Sequence, residues 1–141
     1  MKFNKITFIL IFSFSLTQSY AQIPIELYQL LENKDTTELY FGAEIDPEFP
    51  GGRTELIKHY KKHLYYPFSA RAKGIEGTVY MMFIVEKNGE LTNIMPTNSV
   101  DKQLDRIATK LIKKMPNWIP GRQDNKIVRV LHIQPVNFVL E

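Results

Sequence analysis

The order of amphipathic and β-rich segments predicts an α+β domain, in which two helices pack on a small three-stranded antiparallel sheet behind a short N-terminal extension. Apolar residues recur at helical spacing in 53–64 and 101–115. The segment 77–86 is rich in β-forming residues, and Asn88-Gly89 just after it is typical of a hairpin. A length of 141 residues, with 44% hydrophobic and 23% charged residues, suits one globular domain.

Local signals set the limits of the two helices. The first must end before Tyr66-Pro67, because a residue that precedes proline avoids helical backbone. The second carries Asp101 at its positive end, as the helix dipole favours, and stops at Pro116. Between the two helices, 68–73 is expected to form at most one further turn.

Three strands follow from the β-rich segments. The hairpin joins 77–86 to a return strand at 91–95, and the last strand is predicted over 127–140, interrupted by Pro135. A weaker strand over 39–45 is a further candidate in the extension. Helices on one face of these strands complete the predicted α+β layers.

The run from Val79 to Val85 is apolar on both faces of its strand. Tyr80, Met82 and Ile84 alternate onto the face away from the helices. Either the N-terminal segment, a second copy or a partner covers that face, or these side chains are tolerated at the surface.

The first 21 residues differ in composition from the rest. Lys2 and Lys5 precede an apolar run over 6–16, and Ser19-Tyr20-Ala21 supplies small residues where a signal peptidase reads. This pattern predicts a cleavable export signal over 1–21, and hence a periplasmic protein; the alternative is an uncleaved inner-membrane anchor facing the periplasm. Residues 22–48 are expected to form an extension with a short helix after Pro24 and a linker, and the compact domain is predicted over 49–141.

Composition excludes several classes of function. The chain has no cysteine, so disulfides, cysteine-ligated metals and thiol catalysis are ruled out. The formal net charge is +3, and removal of a leader with Lys2 and Lys5 lowers it to +1. A nucleic-acid partner is therefore not expected, since it requires clustered uncompensated basic residues.

No motif indicates catalysis, a cofactor or a metal site. His59 and His63 stand at i and i+4 on a helix, but lysines surround them and no third ligand is evident, which favours a solvated helix face. His132, in a predicted strand, is expected to be a packed or edge residue. Ser69 and Ser99 lack the context of a nucleophilic serine. The chain is therefore not expected to be an enzyme.

The stretch from Phe49 to Leu140 carries a series of short motifs that together are specific. In chain order they are Phe49-Pro50-Gly51-Gly52, Tyr66-Pro67 with Ala70-Arg71, Gly74-Ile75-Glu76-Gly77-Thr78-Val79, Phe83 and Val85, Asn88-Gly89, Leu104-Asp105, Met115-Pro116 with Trp118 and Pro120-Gly121, and Pro135-Val136-Asn137-Phe138. With this order and spacing, the stretch resembles the C-terminal domain of TonB-family energy transducers.

The resemblance implies a noncatalytic periplasmic binding domain with helices on a three-stranded sheet. In the family, the edge strand accepts an extended segment, the TonB box, of an outer-membrane TonB-dependent transporter during uptake of siderophores, cobalamin or glycans. Strand addition of this kind satisfies the open backbone groups of an edge. The implied partner-binding residues here are Tyr65, Tyr66, Ile127, Val128, Arg129, Val130, Leu131, His132 and Ile133.

A second function stays open on the same residues. Leu131 and Ile133 place apolar side chains on the predicted edge strand, which favours self-pairing. The alternative to transporter recognition is thus an exported structural or regulatory adaptor that forms a homodimer, or binds an inner-membrane partner, through its sheet.

Overall fold

The computed structural model describes residues 39–141, and in that range the chain forms three helices and six strands. The helices are α1 (Gly52–His63), α2 (Phe68–Ala72) and α3 (Lys102–Lys113). The strands are β1 (Leu39–Tyr40), β2 (Gly77–Val85), β3 (Leu91–Pro96), β4 (Arg122–Gln123), β5 (Lys126–Ile127) and β6 (Arg129–Phe138). The predicted export signal over 1–21 and the short helix after Pro24 lie outside the described residues.

The described residues form one compact unit, Leu39–Glu141, which begins ten residues before the predicted domain start at Phe49. None of the helices in this range has the length and apolar composition needed to cross a membrane.

The two long helices contribute unequally to the core. The Asp101 carboxylate caps α3 by accepting hydrogen bonds from the backbone N–H groups of Gln103 at 2.8 Å and Leu104 at 3.4 Å. Five side chains of α3 are buried: Leu104, Ile107, Ala108, Leu111 and Ile112. In contrast, α1 has no buried residue, and only its partly buried side chains pack on the core.

The sheet has four strands in the order β1-β6-β2-β3 and is mixed, because β1 pairs with β6 in parallel. The predicted α+β class is confirmed, but the prediction of a three-stranded antiparallel sheet with two helices is wrong. The additional strand β1 lies within the candidate strand over 39–45, and the additional helix α2 lies within the turn expected over 68–73. They have two and five residues, so both are too short to produce a periodic apolar pattern.

The central strand β2 is buried on both faces over most of its length. Val79, Met81, Phe83 and Val85 point into the core under the helices and have no exposed surface. On the opposite face Met82 and Ile84 are also buried, whereas Tyr80 is 46% exposed. Met82 lies between Met95 of β3 and Ile133 of β6, which flank it on the same face.

The last predicted strand is divided in two by the structure. Ile127 belongs to β5, which forms a small hairpin with β4, and β6 begins only at Arg129. Asp124 and Asn125 form the turn of this hairpin with positive φ angles of 49° and 61°. These residue types tolerate left-handed backbone, so the turn is well specified locally although it was not predicted.

The predicted hairpin between β2 and β3 is confirmed. The Gly89 N–H donates to the Glu86 carbonyl at 2.8 Å, and Gly89 has a φ of 85°. The Gly89 carbonyl also accepts a hydrogen bond of 2.8 Å from the Trp118 N–H, and a Cβ at this position would overlap the Trp118 carbonyl oxygen. Glycine is therefore required both by the turn and by the close approach of the Trp118 backbone.

The open edge of β6 as a candidate binding site

Every second residue of β6 directs its backbone groups away from β2. The Tyr80 N–H donates to Asn98 Oδ1 at 2.8 Å and the Tyr80 carbonyl accepts from the Thr97 N–H at 2.8 Å. Because the two groups of Tyr80 are used on the β3 side, Pro135 opposite Tyr80 also turns its backbone away from β2. The same alternation applies to Arg129, Leu131, Ile133 and Asn137.

The strand β1 covers only the beginning of this side of β6. Leu39 is registered with Arg129 and Tyr40 with Val130. In a parallel ladder with this register, the Tyr40 N–H donates to the Arg129 carbonyl and the Tyr40 carbonyl accepts from the Leu131 N–H. Among residues 39–141, no strand pairs with this side beyond Val130. We call the remainder, from Leu131 to the end of β6, the open edge.

Pro135 interrupts the open edge. Proline has no backbone N–H, and the Pro135 carbonyl accepts a hydrogen bond of 3.2 Å from the Tyr60 hydroxyl of α1. Burial raises the pKa of Tyr60 to about 12, while a hydrogen bond with Gln134 opposes the rise. The Tyr60 hydroxyl therefore stays protonated at neutral pH and keeps the Pro135 carbonyl occupied.

The first four residues of the predicted site on the last strand are already paired. Ile127 pairs with Arg122 in the small hairpin, and the Val128 N–H donates to the Gly121 carbonyl at 3.0 Å. Val130 lies between β1 and β2.

The remaining residue of these four, Arg129, pairs with β1 through its backbone and binds Glu86 through its side chain, with 2.6 Å between Nε and Oε2. Of the predicted residues, Leu131, His132 and Ile133 are therefore the ones that lie beside the open edge.

His132 directs its side chain into the core. Its ring packs against Phe83, at 5.4 Å between centroids, and against Trp118, at 5.0 Å. His132 Nε2 lies 3.2 Å from Gln134 Oε1. Burial lowers the pKa of His132, whereas the hydrogen bond with Gln134 and the charge of Asp46 oppose this shift. The backbone of His132 pairs with Phe83 of β2, so His132 offers no hydrogen-bonding group to the open edge. Its imidazole is a packing element, as the sequence predicted.

Tyr65 and Tyr66 lie at the other end of β6. The Tyr66 hydroxyl donates to the Ile75 carbonyl, and its ring meets Phe138 edge-on at 5.8 Å between centroids. Tyr65 is 57% exposed. Because Arg129 and Phe138 are separated by about 30 Å of extended chain, the structure divides the predicted residues between two ends of β6.

Sequence reasoning missed Tyr60, Gln134 and Pro135 as parts of this edge. Pro135 carried a usable signal, because proline within a strand indicates a sheet edge. Tyr60 had no such signal, since its apolar helical spacing describes packing and does not reveal a hydroxyl that reaches a strand.

The histidine pair of α1 lacks the features of a metal site. The rings of His59 and His63 lie 4.5 Å apart, but His59 Nε2 is 3.2 Å from the Leu111 carbonyl oxygen. Desolvation lowers the pKa of His63, and the charges of His59, Lys114 and Lys62 lower it further. In residues 39–141, no three His, Asp or Glu side chains are grouped so as to hold a metal ion.

Known proteins resemble this chain in structure and in sequence. The NMR structure of the Helicobacter pylori TonB C-terminal domain (residues 179–285) is similar, with 19% identity, coverage of 87% of this chain and 98% of that chain, and a TM-score of 0.48. No curated protein matches the chain. The family model described as the Gram-negative bacterial TonB protein C-terminal matches residues 62–140, more than half of the chain. Members of that family are periplasmic, noncatalytic protein-interaction domains. The chain belongs to the TonB C-terminal family.

Proposed function

We propose that this chain binds an extended segment, the TonB box, of an outer-membrane TonB-dependent transporter by adding it as a strand to the open edge of β6. The single observation that carries the proposal is that β6 has no partner strand beyond Val130 on this side among residues 39–141. Family membership supports the class of partner, because TonB C-terminal domains interact with such transporters. The binding serves energy-coupled uptake of nutrients such as siderophores, cobalamin or glycans.

The energetics of strand addition set the length of backbone ladder that β6 must offer. Each backbone hydrogen bond contributes about 1 kcal/mol net, and a micromolar complex requires about 8 kcal/mol. About six backbone bonds with some apolar contact therefore reach this range. Ile133, which is 52% exposed, lies on the same face as Tyr80 and offers an apolar contact beside the edge.

The place of action follows from the leader pattern. Export through the signal over 1–21 delivers the domain to the periplasm, where a transporter segment is accessible; the alternative is attachment to the inner membrane facing the periplasm. N-terminal mass spectrometry of the exported protein distinguishes a start at Gln22 from an intact Met1.

A second candidate function is homodimerisation through the same edge, as part of a structural or regulatory adaptor. The exposure of Ile133 beside Tyr80 favours it, because two copies that pair edge to edge would cover these side chains. Sedimentation of the exported protein without peptide tests this candidate directly.

Proline at Ile133 provides a direct test of strand addition. The Ile133 N–H is the donor of β6 that faces outward between β1 and Pro135, so Ile133→Pro removes it without breaking a bond to β2. Ile133→Thr is the matched control, since it removes the apolar side chain but keeps the N–H. Val130 is unsuitable for a proline substitution of this kind, because its backbone bonds to β2.

We expect a labelled TonB-box peptide to bind the wild-type protein saturably in the micromolar range. We expect Ile133→Pro to bind about tenfold more weakly than Ile133→Thr. Absence of wild-type binding, or equal affinity of the two variants in a fluorescence titration, contradicts the proposed function. A concentration-dependent dimer without peptide binding supports the second candidate.

A further inference from the structure

We infer that β1 covers the beginning of the outer side of β6 in the free protein, and that a guest strand, meaning the partner's extended segment, must displace β1 to bind well. The inference rests on the proposed function and adds a form of regulation to the same site. The segment that competes is this chain's own Leu39–Tyr40, which pairs in parallel with Arg129 and Val130.

Few backbone groups remain for a guest while β1 is in place. The Leu131 N–H is used by Tyr40, and Pro135 offers neither a donor nor an open carbonyl. Between them lie the Leu131 carbonyl and the N–H and carbonyl of Ile133, while the outward groups of Asn137 lie beyond the interruption at Pro135. These groups supply about half of the bonds that a micromolar complex requires.

Displacement of β1 doubles the number of backbone groups of β6 that can bond to a guest strand. A guest in the track of β1 gains the Leu131 N–H and both backbone groups of Arg129, and then continues along the open edge to Gln134. Leu39 is only 5% exposed, so the guest must replace a buried apolar side chain at that position. The partner segment is thus about six residues long, runs parallel to β6, and carries an apolar residue beside Arg129.

The turn after β1 determines how far the edge is covered. Continued extension would bring Phe41 opposite Leu131 and Ala43 opposite Ile133, which would close the edge. Instead Gly42 has a φ of 94°, and the chain turns away toward the backbone bridge between Ile45 and Arg122. A Cβ at Gly42 meets no atom within 4 Å, so the backbone angle alone requires glycine here.

Tyr40 provides the variant that weakens β1. Tyr40→Pro removes the N–H that bonds to Arg129, and Tyr40→Ala removes the same side chain but keeps this N–H. We expect an eight-residue TonB-box peptide to bind Tyr40→Pro about fivefold or more tightly than Tyr40→Ala. In the free protein, we expect the Leu131 amide to exchange with solvent faster in Tyr40→Pro than in Tyr40→Ala.

Gly42 provides the variant in the opposite direction. Gly42→Val disfavours the positive φ and favours continued extension along β6, whereas Gly42→Asn tolerates the turn. We expect Gly42→Val to bind the peptide about fivefold or more weakly than Gly42→Asn. The two pairs together separate a competing strand from a general loss of stability, which would weaken binding in both cases.

The outcomes distinguish the inference from the proposed function. If the wild-type protein binds the peptide but Tyr40→Pro and Tyr40→Ala bind equally, β1 is not a competitor and the inference is overturned. Retention of the nuclear Overhauser contacts between Leu39 and Arg129 in the saturated wild-type complex also overturns it. Binding by Tyr40→Pro where the wild type does not bind contradicts the proposed function of the wild-type protein but supports the inference, because β1 then blocks the edge. If neither binds, both proposals fall.

Discussion

Gly74 and Gly89 both have left-handed backbone, with φ angles of 63° and 85°, but only Gly89 lacks space for a side chain. A Cβ at Gly74 meets no atom within 4 Å. We expect Gly74→Ala to cost about 1 kcal/mol of unfolding free energy, and Gly89→Ala to cost about 3 kcal/mol or more, because the Trp118 backbone must also move. Urea unfolding measures both, and equal costs would contradict the role given to Trp118.

His132 makes the stability of the fold depend on pH. Burial lowers its pKa below the ordinary value of 6.5, so the unfolded chain takes up a proton before the folded chain does. The stability that depends on neutral His132 is therefore present above about pH 6.5 and is lost as the pH falls toward the lower folded-state pKa.

We expect wild-type stability to fall between about pH 7.5 and about pH 5, and to fall less in His132→Gln. The control is His63→Gln at the end of α1, where the pKa is also lowered but the side chain is not buried in the core. If His63→Gln flattens the profile as much as His132→Gln, burial of His132 is not the source of the effect.

Elements that bury a long face could be predicted from the sequence, whereas short elements were at best candidates without firm limits. The apolar spacing of 101–115 identified α3, and the β-rich run identified β2. In contrast, β1 is held by pairing with β6, and the β4–β5 hairpin by the Glu44 side chain, which accepts from the Asp124 N–H at 3.2 Å. Tertiary contacts of this kind leave no periodic pattern in the chain.

The same distinction applies to the candidate site. The resemblance to the family implied that the last strand is an edge. Among residues 39–141 its outer side is unpaired only beyond Val130, where Leu131 and Ile133 lie. The pairing of Arg129 and Val130 with β1 could not be foreseen, since it depends on where a two-residue segment docks.

The Asp101 cap stabilises the N-terminus of α3. Asp101 accepts from two N–H groups in the first turn and also carries a charge that the helix dipole favours. We expect Asp101→Ala to lower the unfolding free energy by about 1 kcal/mol and Asp101→Asn to lower it by less. Thermal unfolding followed by circular dichroism measures the difference. Equal losses in the two variants would mean that the charge, and not the hydrogen bonds, stabilises α3.

Residues 39–48 are part of the fold although they precede the predicted domain start. They contribute β1 and two backbone bridges, Ile45 with Arg122 and Glu48 with Ile119. The bridges contain four backbone hydrogen bonds of 2.8 to 3.1 Å.

We expect a chain that begins at Phe49 to be less stable than one that begins at Leu39 by about 3 kcal/mol or more, at about 1 kcal/mol for each lost bond. The chain from Phe49 should also show faster amide exchange at Leu131. Equal stability in urea would instead place the start of the folded unit at Phe49.

The proline in β6 and the tyrosine that caps its carbonyl have a further consequence for a protein held at high local concentration. A sheet with one unclosed side can grow by successive stacking of identical copies into fibrils. Pro135 interrupts the continuous row of backbone hydrogen bonds that such growth needs. The Tyr60 hydroxyl also occupies the Pro135 carbonyl. The domain can thus bind one short extended segment at this edge and still resist polymerisation.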